Sequence, residues 1–271
     1  MKTYTIKWHE TLDSTNSQAL REAPSLDNLS VIAAASQTAG RGQRGNRWSA
    51  APGENLTFSI FLRFNTDSCS RPDSFPALTA GRQFAISAAA TLAQCLFLER
   101  HGIMSSIKWP NDIYCGDRKI SGMLVENSLA ADHVRTSIVG IGLNVNQTVF
   151  PEDLPNPVSM SGLTGRKYDI RTLLDEFMRV FSECLDMLEG PWSILKETYE
   201  RRLYRKGTEC SFADISGRDA TLPADALISG TGSGGKIFRG TIEGISGTGL
   251  LKVRTSSGTK EFGFKEIAYI I

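Results

Sequence analysis

Lys108, Asn111 and Asp112 fall within one heptapeptide, Lys-Trp-Pro-Asn-Asp-Ile-Tyr, and Lys119 follows in Arg-Lys-Ile-Ser-Gly. Two ammonium groups, a carboxamide and a carboxylate around a proline turn form a set that can bring a carboxylate up to a nucleotide phosphate. Both reactants are anions and repel until cations screen them; at ~4 Å in a partly buried site, two unit charges interact by roughly 4 kcal/mol. Taken singly, each lysine reads as an exposed surface charge and Pro-Asn-Asp as a turn.

A second cluster lies upstream. Gly40, Gly42 and Gly45 spell G-x-G-x-x-G, with Arg41 and Arg44 between them. A dinucleotide-binding turn needs a helix to open at its end, and Pro52 and Gly53 stand where that helix would grow. Asp67 lies at the distance of a ribose-binding acid, a spacing common by chance. Asn46 and Arg47 after Gly45 also exclude a P-loop, which requires Lys then Ser or Thr. Two readings stay open: a glycine loop whose amides and arginines face an anion, or a solvated loop with incidental charge.

The elements that must hold these residues alternate between strand and helix. Thr15 and Gln18 have capping-box spacing for a helix start. Leu29–Gln37 reads as a buried strand entering the glycine loop, and Asn55–Phe64 alternates as a half-buried strand should. A long helix is expected over about 81–101, then strand-rich stretches over 106–127 and 135–146 with turns at Pro110–Asp112 and Gly116–Arg118. From about Ile170, apolar residues recur at helical spacing through Leu188, and helical texture resumes after Gly190–Pro191. From about Gly207 the texture becomes short strands between glycine-rich turns, so a small β-barrel over 207–271 is expected beside a larger α+β domain over 1–206.

Composition narrows the function class. A net charge of +1 gives no global field to recruit nucleic acid or an acidic membrane, so any basic site is local. The amino terminus lacks the apolar core of a secretory signal, and the alanine-rich stretch 84–98 is too short and polar to span a bilayer. Five cysteines without a C-x-x-C pair read as reduced, core-filling thiols, which places the chain in the cytoplasm. The three histidines, His9, His101 and His133, have no metal-ligand spacing.

Taken in order, Asp-Ser-Thr-Asn (13–16), Gln-Thr-Ala-Gly-Arg-Gly-Gln-Arg-Gly-Asn-Arg-Trp (37–48), the Lys-Trp-Pro-Asn-Asp turn, Arg-Lys-Ile-Ser-Gly-Met-Leu-Val-Glu (118–126) and Val-Gly-Ile-Gly-Leu-Asn-Val-Asn (139–146) resemble the motifs of biotin–protein ligases. The likeness is close over about Leu12–Asn146 and general elsewhere. It implies a mixed sheet with flanking helices, related to class II aminoacyl-tRNA synthetases, plus a C-terminal SH3-like barrel. It implies activation of biotin by ATP to biotinyl-5′-AMP, then transfer to a lysine of an apo biotin carboxyl carrier protein.

By the same resemblance, Ser14, Thr15, Asn16 and Gln37 lie near the biotin ring. Gly40, Arg41, Gly42, Gln43, Arg44 and Trp48 approach biotin and phosphate, while Gly122, Gly142 and Asn144 line the nucleotide side. Lys119, Arg41 and Lys108 are the catalytic cations, and Asn111 and Asp112 bear on the ATP phosphates, Asp112 through Mg²⁺. Trp48, Trp109 and Trp192 are each structural by default, and the residue that covers adenine is left open. Gln43 departs from the family, which often has arginine there; Arg44, one step along, is a candidate to share its work. Some family members begin with a helix-turn-helix domain. Here Asp-Ser-Thr-Asn begins at residue 13, so no such domain and no specific DNA binding are expected. Homodimerisation through a sheet edge is possible in the family, a lipoate ligase is the nearest alternative, and a non-catalytic biotin sensor is the alternative of another class.

Overall fold

The computed structural model of the chain describes residues 2–43, 46–66, 71–216 and 236–270. Arg44, Asp67, Cys69 and the glycine-rich stretch 217–235 lie outside the described residues.

The large sheet is built from β1 (Thr5–Leu12), β2 (Ser30–Gln37), β3 (Asn55–Arg63), β4 (Leu78–Thr79), β5 (Ser106–Lys108), β6 (Asp112–Cys115), β7 (Arg118–Ala130) and β8 (His133–Asn144). Its order is β1-β2-β3-β8-β7-β6-β5, with β4 paired to β8. Only β1 and β2 run parallel, joined by the helix α1 (Thr15–Glu22). The other pairs are antiparallel, so this is a mixed sheet with flanking helices.

Register divides the central strands into two different faces. Ser59 pairs with Gly140 and Thr57 with Gly142, while Gly140 pairs with Leu124 and Gly142 with Gly122. Side chains alternate along a strand, so one face presents Leu56, Phe58, Ile60, Val139, Ile141 and Leu143, all buried in the main core. The helices α2 (Phe84–Arg100) and α4 (Ile170–Leu185) cover that face, and Phe58 meets Phe177 edge-on at 5.2 Å. The other face presents serine, threonine and glycine at the same rows, and α1 covers only its far end, where Ala19, Leu26, Ile32, Phe61 and Ile138 pack. A trough floored by small residues remains.

Three expectations are corrected. The strand over Asn55–Arg63 is buried along its whole length rather than half-buried, because its polar positions face the trough and are hydrogen-bonded there. Ser14, not Thr15, caps α1: its hydroxyl accepts from the Ser17 amide, and Gln18 instead donates to Glu22 at 2.5 Å. The long helix begins at Phe84, after a 3-10 turn over Ala80–Arg82. A short helix, α3 (Met160–Thr164), had no sequence signal; Ser159 caps it and Gly165, with φ of 69°, ends it.

After α5 (Trp192–Arg201), a second sheet of five antiparallel strands follows. These are β9 (Glu209–Asp214), β10 (Lys236–Ile245), β11 (Leu251–Thr255), β12 (Gly258–Phe262) and β13 (Ile267–Tyr269), in the order β12-β11-β10-β9-β13. Cys95, Cys115, Cys184 and Cys210 are free and buried, in keeping with core-filling thiols. Among the described residues no helix is long and apolar enough to cross a membrane.

Candidate active site

The glycine loop leaves the end of β2 and folds back on itself. The Gly42 amide donates to the Asn46 carbonyl at 2.7 Å and the Trp48 amide to the Gly40 carbonyl at 3.1 Å, with Arg41 and Arg47 bridged across. No helix follows, which removes the dinucleotide reading. Gly40 must be glycine here: a Cβ on it would lie 2.3 Å from the Trp48 carbonyl oxygen. Gln43 sits in the tip of the turn, its carbonyl accepting from the Asn46 amide.

This loop stands over the trough. The Trp48 indole lies against Gly142 so closely that a Cβ there would be 2.2 Å from the ring. Its ring nitrogen is buried and has no hydrogen-bond partner among the described residues. One strand row away, Asn16 occupies the space over Gly140, where a Cβ would meet its Oδ1 at 1.9 Å.

Asn16 belongs to a continuous polar chain along this floor. The Ser59 hydroxyl lies 2.6 Å from Asn16 Oδ1 and 2.8 Å from Thr15 Oγ1, so its one proton serves one of them. Asn16 Nδ2 donates to Glu126 at 2.9 Å, and Glu126 takes both guanidinium nitrogens of Arg41, at 2.7 and 3.1 Å. Gln37 closes the other side, its Oε1 accepting from the Thr15 amide at 2.7 Å. The structure therefore unites Thr15, Asn16, Gln37 and Arg41, and adds Ser59, together with Glu126 and Gly140, which lie within the quoted motifs but carry no site role there. Ser14, Thr15 and Asn16 are each only 3% exposed despite being polar, and the cap and this network account for it.

The cationic end lies further along the trough. Lys119 Nζ is 2.8 Å from Asp112 Oδ1, and both groups crowd the open side of Gly122, where a Cβ would lie 3.2 Å from Nζ. Strict alternation would put Lys119 on the same face as Ser121, whose hydroxyl is buried beside Gln94 of α2. A bulge prevents this: from Ile113 to Tyr114 on β6, the partner on β7 jumps from Ser121 to Lys119. The extra residue, Ile120, is buried in the core, and Lys119 emerges on the trough side. Bulges commonly re-aim a side chain in this way.

Asn111 is buried and its amide donates to the Met123 carbonyl, pinning the proline turn to β7. Lys108 pairs with Asp112 across β5 and β6, but its ammonium lies 3.1 Å from the Tyr114 hydroxyl and over the rings of Tyr114 and Tyr269. Burial, aided by Asp112, pushes the Tyr114 phenol well above its ordinary pKa, so it stays protonated. Asn144 is buried, with its amide donating to the Val158 carbonyl at 3.0 Å, so its side chain holds the segment after β8. Trp109 is buried in the core and Trp192 packs on Phe84, both structural as expected. Among the described residues no group of three or more His, Cys, Asp or Glu side chains is arranged to hold a metal.

The family model described as biotin/lipoate A/B protein ligase matches residues 8–146, half of the 271-residue chain. The chain is 31% identical to a biotin–[acetyl-CoA-carboxylase] ligase of Paracoccus denitrificans, over 95% of this chain and 97% of that one. It is 29% identical to a bifunctional ligase/repressor of Bacillus subtilis, over 94% of this chain and 70% of the relative. The structure of a biotin protein ligase from Aquifex aeolicus in complex with biotin and ATP is similar, with a TM-score of 0.71, 26% identity and 97% of each chain covered. By its motifs, its fold and these relatives, the chain belongs to the biotin/lipoate A/B protein ligase family.

Proposed function

We propose that the trough between the glycine loop and the floor of β3, β8 and β7 is where biotin and ATP meet. The chain is an ATP-dependent biotin–protein ligase: it activates biotin and transfers it to a lysine of a biotin carboxyl carrier protein. The observation that carries the site assignment is one continuous face. It holds the polar chain Ser59–Asn16–Glu126–Arg41 at one end and the Lys119–Asp112 pair at the other, with glycines between.

Biotin's ring is polar on its ureido edge, and Ser14, Thr15, Asn16 and Gln37 hold a hydrogen-bonded polar wall against which that edge can exchange partners. Its carboxylate then points along the glycines toward Lys119, with Arg41 beside the ring end. Arg41, Gly42 and Lys119 draw the carboxylate and the α-phosphate of ATP together, against a repulsion of roughly 4 kcal/mol per charge pair. Asp112 fixes the direction of the Lys119 ammonium, a preorganised cation that meets the charge developing on the phosphate. The carboxylate oxygen forms a bond to the α-phosphorus as the bond to pyrophosphate breaks. An acceptor lysine, arriving as a neutral amine, next attacks the acyl carbon and releases AMP.

Trp48 and Gln43 are placed to keep water from the reactive anhydride once the nucleotide is bound. Gly142 and Gly122 let the Trp48 indole and the Lys119 ammonium lie close to the floor beside the nucleotide, Asn144 and Asn111 hold the segments that bound it, and Lys108 adds charge near its phosphates. Mg²⁺ fits as part of the ATP complex rather than as a resident ion. Asp112 is a single carboxylate already facing Lys119, and Mg²⁺ held mainly by phosphates needs only one or two carboxylates. It would neutralise phosphate charge there.

Residues 1–206 are read as the catalytic domain and 207–271 as a small SH3-like barrel, with the large sheet related to that of class II aminoacyl-tRNA synthetases. The enzyme is read as cytoplasmic and without a nucleic-acid partner, with a sheet edge as the route to a homodimer. The test is ATP–pyrophosphate exchange with biotin, with lipoate and with neither, alongside Lys119→Ala. Exchange with biotin alone, lost in the variant, is expected. Exchange with lipoate alone would keep the chemistry and change the substrate; biotin binding with no exchange would make the chain a sensor.

A further inference from the structure

The proline turn that carries Asn111 and Asp112 is held from behind by the second sheet. The Trp109 indole nitrogen donates to the Gly249 carbonyl at 2.9 Å, a buried bond between residues 140 positions apart. Gly249 can make this contact because it has φ of 93° and because the Phe84 ring fills the place of a Cβ, at 2.2 Å. On the other side of the same turn, the buried Tyr199 hydroxyl donates to the Pro110 carbonyl at 3.1 Å. One residue earlier, the Lys108 ammonium lies over the ring of Tyr269, from the last strand of the second sheet.

The helix carrying Tyr199 is tied to that sheet as well. Glu200 accepts from the Ile245 amide at 2.8 Å, and a Cβ on Gly244 would lie 2.3 Å from its carboxylate. Lys196 donates to Glu200 at 2.6 Å and keeps it charged. So three consecutive residues, 108 to 110, each contact the second sheet or the helix bolted to it. Asn111 then pins the turn to β7 through the Met123 carbonyl, and Asp112 meets Lys119 in the trough.

Such a brace has a physical use. Asn111 and Asp112 sit on a turn between two short strands at the end of the sheet, β5 having three residues and β6 four. Few ladder bonds hold it, so its direction must come from elsewhere. A group that orients Lys119 has to be held within a fraction of an ångström to act on a transition state.

We propose that Trp109 and Tyr199 are positioning residues for the adenylation step: through Gly249 and Pro110, the C-terminal sheet fixes the turn that aims Asp112, and with it the Lys119 ammonium, at the ATP phosphates. This rests on the ligase reading of the trough. Among the described residues no hydrogen bond joins this sheet to the biotin-ring end, which is built from α1, β3 and the glycine loop. The second sheet therefore acts on the nucleotide half of the site alone.

Trp109→Phe removes the indole donor and keeps an aromatic ring; Tyr199→Phe removes only the hydroxyl. Three readouts on the full chain separate the possibilities. In ATP–pyrophosphate exchange, each variant is expected to lose about threefold to tenfold in kcat/KM for ATP, the scale of one neutral hydrogen bond. Biotin affinity without ATP, measured by calorimetry, should stay within twofold of wild type. Amide hydrogen exchange should quicken at residues 108–112 and not at 14–17 or 37–42. A variant that loses biotin affinity as much as ATP efficiency has a general structural defect, which overturns the proposal. So does unchanged hydrogen exchange over 108–112. If the wild type itself shows no exchange with biotin, the ligase reading fails, while the hydrogen-exchange comparison still decides whether the brace exists.

Discussion

Gly140→Ala tests the floor of the trough at its tightest point. The added methyl would stand 1.9 Å from Asn16 Oδ1, far inside contact distance, while the β8 backbone is held on both sides by β3 and β7. Asn16 is the part that must move, and moving it breaks its bonds to Ser59 and Glu126. A neutral hydrogen bond is worth about 1 kcal/mol and one to a charged group about 1.5–3 kcal/mol. Biotin would have to restore that arrangement against the clash, so affinity is expected to fall by roughly tens- to hundreds-fold at about 1.4 kcal/mol per decade. Calorimetric titration with biotin, without ATP, reads this directly, and Gly81→Ala, with nothing within 4 Å of its Cβ, is the control. Because the effect runs through Asn16, the double variant Gly140→Ala/Asn16→Ala should bind biotin no worse than Asn16→Ala alone. A Gly140→Ala protein that melts like wild type and binds biotin within threefold of it would refute the reasoning.

Three further outcomes are expected. Gly142→Ala displaces the Trp48 indole from the floor and should raise KM for ATP more than it weakens biotin binding, as steady-state exchange kinetics would reveal; equal effects would contradict it. Chelation with EDTA should abolish pyrophosphate exchange and leave biotin affinity intact, because the metal enters with ATP; full activity in EDTA would remove Mg²⁺ from the account. Burial pushes the Cys184 and Cys115 thiols up to about 12 and Cys95 to about 11. Their folded pKa values lie above the unfolded value near 9, so this stability is whole below pH 9 and is lost as pH rises toward 12. Urea midpoints should fall across that window, and native thiols at these positions should resist alkylation at pH 8; prompt labelling would show they are not buried.

Much of the site was legible because its chemistry sits in short, ordered motifs. The glycines and arginines of the loop, the proline turn and Lys119 stand out by residue type, and Pro52–Gly53 correctly excluded a helix after the loop. What escaped depends on pairing partners distant in sequence. Glu126 looks like an ordinary strand-end acid until register brings it beside Asn16 and Arg41. Ser59 looks like the solvent side of a half-buried strand, because alternation gives the face of a residue but not what covers that face. Lys119 reaches the trough through a bulge that no local pattern announces. T-x-x-Q at Thr15 fits the capping box, yet Ser14 one residue earlier also caps well, and the tertiary bond from Thr15 to Gln37 fixes the start. The bond from Trp109 to Gly249 had no sequence signal at all.

The most direct test of the central claim is transfer itself. The chain is incubated with biotin, ATP, Mg²⁺ and an apo biotin carboxyl carrier domain, and the carrier is read by intact mass. The account predicts a gain of one biotinyl group on a single lysine, dependent on ATP and absent with Lys119→Ala. A carrier that stays unmodified with biotin, or gains lipoyl in its place, would contradict it.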